Sequence, residues 1–159
     1  MVSNLKYVDT KIVFQEVPNE ITLAINISNC PCKCRGCHSK YLWKDIGMPL
    51  DLNTLNNLIV RNSGITCVCF MGGDSNPPII NSLATYVKLK FPSIKIAWYS
   101  GRSKIHKGIV LNNFNFIKIG RYLEDKGPLN NPNTNQRFYE INNESLIDKT
   151  YLFWKKELN

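Results

Sequence analysis

The 159-residue chain has few of the features that mark secreted, membrane or repetitive proteins. No apolar run approaches the roughly 20 residues that a membrane-spanning helix needs. The first residues, Met1–Lys6, lack the apolar core of a secretory signal. Internal repeats and low-complexity tracts are also missing. We therefore expect a single domain over residues 1–159, located in the cytoplasm and with no membrane partner.

Acidic residues are scarce relative to basic ones. The chain has 20 Lys and Arg against 12 Asp and Glu, a formal net charge of +8. The cations are spread along the whole length, and neither an RNA-binding aromatic motif nor a basic helix with heptads is present. We interpret the charge as a basic solvated surface and expect no nucleic-acid partner. Docking on an acidic protein surface is the functional alternative, because complementary charges speed encounter.

Cysteine, in contrast, is abundant and closely spaced. Four of the 6 cysteines lie between Cys30 and Cys37, too close together to join distant parts of a fold. Disulfides are also rare in the reducing cytoplasm. One choice of three gives the spacing Cys30-x3-Cys34-x2-Cys37, and thiolates are the usual ligands of iron–sulfur clusters. These three residues are therefore predicted to hold a [4Fe–4S] cluster, with one iron left open.

The remaining cysteines leave an alternative open. Cys32 makes a fourth thiol in the same loop, and four thiolates also suit a structural zinc site. Structural zinc sites, however, more often join two separated cysteine pairs. Cys67 and Cys69 lie two apart in a predicted strand, so both point to one face, where they are expected to be small buried hydrophobes.

Hydrophobic patterning predicts alternating strands and helices. The predicted strands are Tyr7–Phe14, Ile21–Ile27, Ile65–Phe70, Ile94–Tyr99 and Phe114–Ile119. A first helix is predicted from Leu52 to Ile59 with Asp51 as its cap, and a second from Ile79 to Leu89, ending before Pro92. Such alternation indicates βαβ units and a mainly parallel sheet.

Three loops follow predicted strands directly. They are the cysteine loop, the Gly72-Gly73-Asp74 turn and the Ser100-Gly101 turn. In parallel sheets, ligands bind just outside the carboxyl ends of the strands. We therefore expect all three loops to meet at one edge of the sheet.

Four motifs carry a resemblance to a known family. They are Cys-x3-Cys-x2-Cys followed by His38, Met71-Gly72-Gly73-Asp74, Trp98-Tyr99-Ser100-Gly101 and Asn135-Gln136-Arg137. The cysteine motif resembles the signature of the radical S-adenosylmethionine (SAM) superfamily. Over residues 10–140 the chain is similar to the activating proteins of anaerobic (class III) ribonucleoside-triphosphate reductase.

The resemblance implies a fold and a cofactor chemistry. The expected fold is an α/β single domain, an open partial (β/α) barrel of the radical SAM type, because a closed barrel takes about 250 residues. The expected cofactors are the [4Fe–4S] cluster and SAM, which is split reductively so that a glycyl radical forms on the reductase. An electron donor such as flavodoxin or ferredoxin completes the expected partners. No protein residue is expected to be catalytic beyond the cluster and cofactor.

Particular residues receive roles from the same resemblance. Gly72, Gly73 and Asp74 match a Gly-Gly-Glu motif that holds the methionyl amino group, with Asp in place of Glu. Tyr99, Ser100 and Gly101 are expected to contact SAM, and His38 to take the place of an aromatic residue against adenine. The Asn135-Gln136-Arg137 segment is expected to line the site or to meet the reductase.

Simpler alternatives remain for these residues and for the chain. The glycine turn and the Ser100-Gly101 turn also fit ordinary loop connections, and residues 130–137 fit a surface loop. The chain also fits a radical SAM enzyme acting on another glycyl-radical enzyme or on a small molecule. A non-enzymatic zinc-binding module is a further alternative.

Overall fold

The structure is a computed structural model and describes residues 4–37 and 39–154. Two α-helices lie in the described residues, α1 (Leu52–Arg61) and α2 (Pro77–Lys90). The strands are β1 (Lys6–Val13), β2 (Thr22–Ile27), β3 (Met48–Pro49), β4 (Cys67–Met71), β5 (Lys95–Tyr99), β6 (Phe116–Ile119), β7 (Arg137–Asn142) and β8 (Ser145–Asp148). Short 3-10 turns cover Lys40–Trp43, Leu111–Asn113 and Thr150–Phe153.

All of these strands join one sheet, with the order β3-β1-β2-β4-β5-β6-β7-β8. The centre, from β2 through β4 and β5 to β6, is parallel. Both flanks are antiparallel: β3 and β1 on one side, β7 and β8 on the other. Four of the seven pairings in the described chain are therefore antiparallel.

The expectation of a mainly parallel sheet in an open partial (β/α) barrel is wrong. The connections explain why, because a parallel pairing needs a long crossover whereas an antiparallel one does not. Residues 14–21 join β1 to β2 by a short loop, and Asn143 and Glu144, both at positive φ, make a tight turn between β7 and β8. Only two of the connections in the described residues contain an α-helix.

The predicted elements in the first three quarters of the chain are confirmed within a few residues. Both helices form, and the Asp51 side chain caps α1 by accepting from the Thr54 N–H at 2.8 Å. The strands β3, β7 and β8 were not predicted. They are short or lie at the sheet's flank, where exposed polar residues interrupt the apolar alternation on which strand prediction depends.

The two faces of the sheet are covered differently. The helices cover one face, where residues such as Ile25, Phe70 and Trp98 pack against Leu55 and Leu83. The opposite face has a smaller apolar cluster covered by loops, formed by Val17, Cys67, Cys69, Ala97, Leu129 and Phe138. No helix in the described residues is long and apolar enough to cross a membrane.

Candidate functional site

A row of four side chains crosses the sheet at the carboxyl ends of its parallel strands. Asn26 of β2 pairs in register with Met71 of β4, Met71 with Tyr99 of β5, and Tyr99 with Lys118 of β6. Because side chains alternate between faces, residues in register lie on the same face. All four line one cavity of about 190 Å³, which we call the edge cavity.

Three loops form the walls of the edge cavity, as the sequence predicted. Cys30 and Cys37 come from the cysteine loop. The glycine turn after β4 and the Ser100-Gly101 turn after β5 form the other two walls. The further lining residues are Ile27, Ser39, Leu42, Trp43, Gly72, Asp74, Ser100 and Gly101. The convergence of the three loops at one edge is confirmed.

The glycine turn after β4 has a backbone that requires glycine. Gly72 and Gly73 have φ angles of 112° and 94°, which side-chain-bearing residues rarely adopt. A Cβ at Gly73 would lie 2.5 Å from Cδ1 of Ile80. The Trp98 indole N–H also donates to the Gly72 carbonyl at 2.7 Å, so the turn is held from the neighbouring strand.

Asp74 links this turn to the next one. Its side chain is 4% exposed, and its carboxylate accepts from the Ser100 hydroxyl at 2.6 Å and from the Gly101 N–H at 2.8 Å. These bonds tie the loops after β4 and β5 into one rigid wall. Oδ2 also accepts from the Cys32 thiol at 3.8 Å, so Oδ1, whose partner is Ser100, is the oxygen that retains capacity to accept from a bound cationic group.

Tyr99 bonds to the β1–β2 loop, whereas Ser100 and Gly101 bond to Asp74. Its hydroxyl donates to the backbone carbonyl of Glu16 and therefore anchors the β1–β2 loop. Burial raises the pKa of the Tyr99 phenol well above its usual value. The Tyr99 phenol is therefore neutral and serves as a hydrogen-bond donor that stabilises the fold. Tyr99 lines the edge cavity because its position in β5 is in register with Met71 and Lys118.

The cysteine loop brings free thiols to the cavity. All of the cysteines are free, and Cys34 is buried while Cys30 and Cys37 are half-buried. The Cys37 sulfur accepts from the Ser39 N–H at 3.3 Å. In the described residues no three His, Cys, Asp or Glu side chains converge as a metal site, and Cys34 is not among the residues lining the cavity.

Cys30 and Cys32 interact through their sulfurs. The interaction between the two thiols lowers the pKa of the Cys30 thiol to about 6 and raises that of the Cys32 thiol. Cys32 also lies 3.8 Å from the Asp74 carboxylate. The loop therefore presents one thiol that ionises readily, the form that binds metals.

Cys67 and Cys69 are fully buried on the face without helices, as predicted. Burial raises the pKa of the Cys67 thiol to about 12 and that of Cys69 well above its usual value. Protonated, buried thiols of this kind are poor metal ligands. They act as apolar packing residues.

Lys118 is a site residue that the sequence analysis missed. Its side chain is 8% exposed, its ammonium donates to the Gly120 carbonyl at 3.1 Å and it lies 5.4 Å from the Tyr99 ring centroid. Burial lowers the pKa of Lys118, while Asp74 and the thiol of Cys34 act in the opposite direction. With Asp74, it is one of the two charged residues lining the edge cavity. Lys118 is flanked by apolar residues in β6, and this sequence pattern did not indicate that the lysine lines the cavity.

Trp43 also lines the edge cavity, and the sequence analysis gave it no role in the site. Its indole N–H is buried and has no acceptor in the described part of the chain. A buried donor without a partner is costly, so a bound ligand that accepted from this N–H would remove that cost. Trp98, in contrast, is 1% exposed and belongs to the core.

The remaining predicted residues lie elsewhere. His38 falls outside the described residues. Asn135 lines a second cavity next to the cysteine loop, Gln136 is buried, and Arg137 lies 3.6 Å from Asp148 in an ion pair across β7 and β8. The Asn135-Gln136-Arg137 segment is therefore split between a cavity wall and the sheet.

The donor chemistry of this edge fits an iron–sulfur centre. The loop holds several free thiols, one of them readily ionised, and a lysine and an unpartnered indole N–H lie on the same cavity. Thiolates are the ligands that such clusters take. Fold and site thus define a mixed-sheet protein with a thiol-rich ligand site at the carboxyl ends of its parallel strands.

Comparison with known families agrees with this class. The family model described as a 4Fe-4S single cluster domain matches residues 21–141, most of the chain. The chain belongs to this family, a domain of radical SAM-type proteins. No curated protein and no solved structure matches the chain. An iron–sulfur cluster-binding domain is therefore indicated, which favours a cluster over a structural zinc site.

Proposed function

We propose that this protein is a radical SAM activase that generates a glycyl radical on a partner, the anaerobic ribonucleoside-triphosphate reductase. The observation that carries the proposal is the convergence of the cysteine loop, the Gly72–Asp74 turn and the Ser100-Gly101 turn on one cavity. The matched family is a domain of radical SAM-type proteins, which supports the same chemistry.

In this proposal Cys30, Cys34 and Cys37 hold the [4Fe–4S] cluster through their thiolates. The cluster, when bound, supplies the electron that splits the sulfonium of SAM reductively. Cys32 is not assigned as a ligand, because its thiol is directed to Cys30 and to the Asp74 carboxylate. Its backbone carbonyl, which accepts from Arg121 at 3.2 Å, fixes the loop against the β6–β7 connection.

The turns after β4 and β5 would position SAM. Glycine at 72 and 73 allows the backbone to approach a ligand closely, and the Asp74 carboxylate suits an ammonium group. Asp is shorter than Glu by one methylene, but its side chain is held in place by Ser100 and Gly101. The two turns therefore act as one preorganised wall, with no reorientation of Asp74 required.

Lys118 and Trp43 complete the binding surface. The ammonium of Lys118 offsets negative charge brought into a site that solvent reaches poorly, where a charge acts more strongly than in water. The unpartnered indole N–H of Trp43 offers a further donor to a bound group. Flavodoxin or ferredoxin is the proposed class of electron donor.

The first test is metal content and SAM cleavage after anaerobic reconstitution. About four irons and four sulfides per chain and a brown colour bleached by dithionite are expected, as the cluster type requires. Methionine and 5′-deoxyadenosine should then form from SAM and dithionite. Stoichiometric zinc without iron would contradict the proposal and favour the zinc-binding module.

Cys34→Ala is expected to abolish iron binding and SAM cleavage, because it removes one of three ligands. Cys67→Ala is the matched control, since that thiol is buried on the other face and should leave the iron content unchanged. If Cys34→Ala retains its iron, the ligand assignment is wrong. A glycyl radical signal on incubation with the reductase, or with another glycyl-radical enzyme, identifies the partner.

A further inference from the structure

A second cavity lies beside the cysteine loop and carries an unbalanced positive charge. It has a volume of about 470 Å³ and is lined by Pro31, Cys32, Gly101, Arg102, Ser103, Arg121, Leu123 and Asn135. We call it the arginine cleft. Gly101 is the single residue that it shares with the lining of the edge cavity. The two cavities are therefore neighbours that adjoin at Gly101.

The two arginines of the arginine cleft have no ion-pair partner in the described chain. The ion pairs found among the described residues of the chain are Lys6–Asp45, Arg35–Glu124, Lys95–Glu20, Arg137–Asp148 and Lys149–Glu140. No acidic residue lines the cleft, while Ser103 and Asn135 add a hydroxyl and an amide. Both arginines are exposed, so their guanidinium groups are accessible to a ligand that approaches from solvent.

Two backbone N–H groups of the arginine cleft are already engaged within the protein. Phosphate sites in loops are commonly built from free backbone N–H groups. Here the Gly101 N–H is already donated to Asp74 and the Arg102 N–H to the Ser100 hydroxyl at 3.1 Å. The charged donors of the cleft are guanidinium groups, whose fork geometry matches carboxylate and phosphate oxygens alike. Pro31 and Leu123 add an apolar part, which suits a peptide chain between its carboxylates.

We propose that the arginine cleft is the docking site for an acidic segment of the protein partner, with carboxylates paired to Arg102 and Arg121. The identity of that partner as the radical acceptor rests on the proposed function. Pro31 and Cys32 of the cysteine loop line the cleft, so a segment bound there places the adjoining chain of the partner beside that loop. The net charge of +8 would favour encounter with an acidic surface.

The test uses the full chain, reconstituted anaerobically, and fluorescence anisotropy with a fluorescein-labelled peptide of Glu–Gly repeats. The R102Q/R121Q variant should weaken binding of this peptide about tenfold or more, because charge-assisted hydrogen bonds are lost. The R61Q/K90Q variant removes the same charge from exposed positions on α1 and α2 and should bind as wild type does. A Gln–Gly peptide should not bind.

Arg121 also donates a hydrogen bond to the Cys32 carbonyl, so its substitution affects the cysteine loop as well as docking. The single variant R102Q separates these two effects. R102Q leaves that bond in place and should still weaken the Glu–Gly peptide, though less than the double variant. Equal loss in R61Q/K90Q would show a general charge effect and overturn the proposal. Stronger binding of inorganic triphosphate than of the peptide would also overturn it.

SAM cleavage without any partner is measured on the same preparations. Intact cleavage with no peptide binding overturns the docking site and leaves the proposed function standing. Peptide binding that depends on Arg102, in a chain that does not cleave SAM, supports the docking site and contradicts the proposed function. The two failures are thus distinguishable.

Discussion

At the scale of single residues, the site depends on a few buried polar groups. Asp74 is a short, buried carboxylate that joins two turns, and Lys118 brings a positive charge to the same cavity. Groups of this kind are stable inside a protein when hydrogen bonds satisfy them. The hydrogen bonds of Asp74 therefore predict what its removal does.

Asp74→Asn should destabilise the protein by about 1–3 kcal/mol, because an amide accepts hydrogen bonds at one of its two ends and leaves a buried partner unsatisfied. Urea unfolding of the variant and the wild type measures the change in the free energy of unfolding. Ser100→Ala is the control: it removes one bond but leaves the carboxylate bonded to the Gly101 N–H. Equal stability of Asp74→Asn and wild type would show that the carboxylate does not hold the two turns.

At the scale of elements, the ends of strands and helices place the site. The glycine turn carries the chain from β4 toward α2, and Asp51 starts α1 after the cysteine loop and β3. Both features are local in sequence. Substitutions in the glycine turn and at Asp51 test whether local backbone geometry or side-chain packing stabilises each of these features.

Gly73→Ala should destabilise the protein by about 1–3 kcal/mol more than Gly64→Ala, because only the first overpacks the core. Both glycines have a φ of 94°, so both substitutions place a side chain at the same unfavourable φ. A Cβ at Gly73 would lie 2.5 Å from Cδ1 of Ile80, whereas nothing lies within 4 Å at Gly64. Chemical unfolding of the two variants gives the difference. If both substitutions reduce the free energy of unfolding equally, the loss of stability comes from the backbone conformation alone.

Asp51→Ala should lower the melting temperature by about 2–4 °C at neutral pH, through loss of the helix cap. The Thr54 N–H lowers the pKa of Asp51 in the folded state. The stabilisation is therefore fully present above the unfolded-state pKa and is lost as the pH falls through the lowered folded-state pKa. The difference between wild type and Asp51→Ala should close over that acidic range.

Asp51→Asn is the matched variant, since asparagine caps helices about as well as aspartate. It should stay close to wild type at neutral pH. Thermal unfolding followed by circular dichroism from neutral to acidic pH gives both comparisons. A difference for Asp51→Ala that does not change with pH would refute the assigned role of the carboxylate charge.

At the scale of the whole molecule, one sheet carries two apolar clusters on opposite faces. Central strands such as β4 contribute side chains to both, because neighbouring residues of a strand point to opposite faces. The clusters are therefore expected to unfold together. The single domain predicted over residues 1–159 remains a prediction that unfolding can test.

Leu83→Ala should reduce the free energy of unfolding by about 2–5 kcal/mol and Phe138→Ala by about 3–5 kcal/mol, because each leaves a core cavity. Leu83 lies in the cluster under the helices and Phe138 in the cluster on the other face. Each variant should shift one common transition, seen alike by circular dichroism and by tryptophan fluorescence. Two separate transitions would show that the faces are independent units.

The sequence determined the features that depend on local spacing. The thiols of Cys30, Cys34 and Cys37 lie within one turn-rich loop, the Asp51 cap defines the start of α1, and glycines follow β4 directly. The meeting of three loops at one edge was also predictable. It follows from the order of parallel strands, which holds in the centre of the sheet.

Tertiary structure decided what depends on pairings between distant residues. Lys118 and Trp43 reach the edge cavity, and Arg102 and Arg121 share a cleft, because strands and loops far apart in the chain are adjacent in the sheet. The antiparallel flanks arise in the same way, from short connections and edge strands whose weak patterns do not specify a partner. Periodicity along a chain specifies which face a residue takes within its own strand, but the neighbours on that face come from packing.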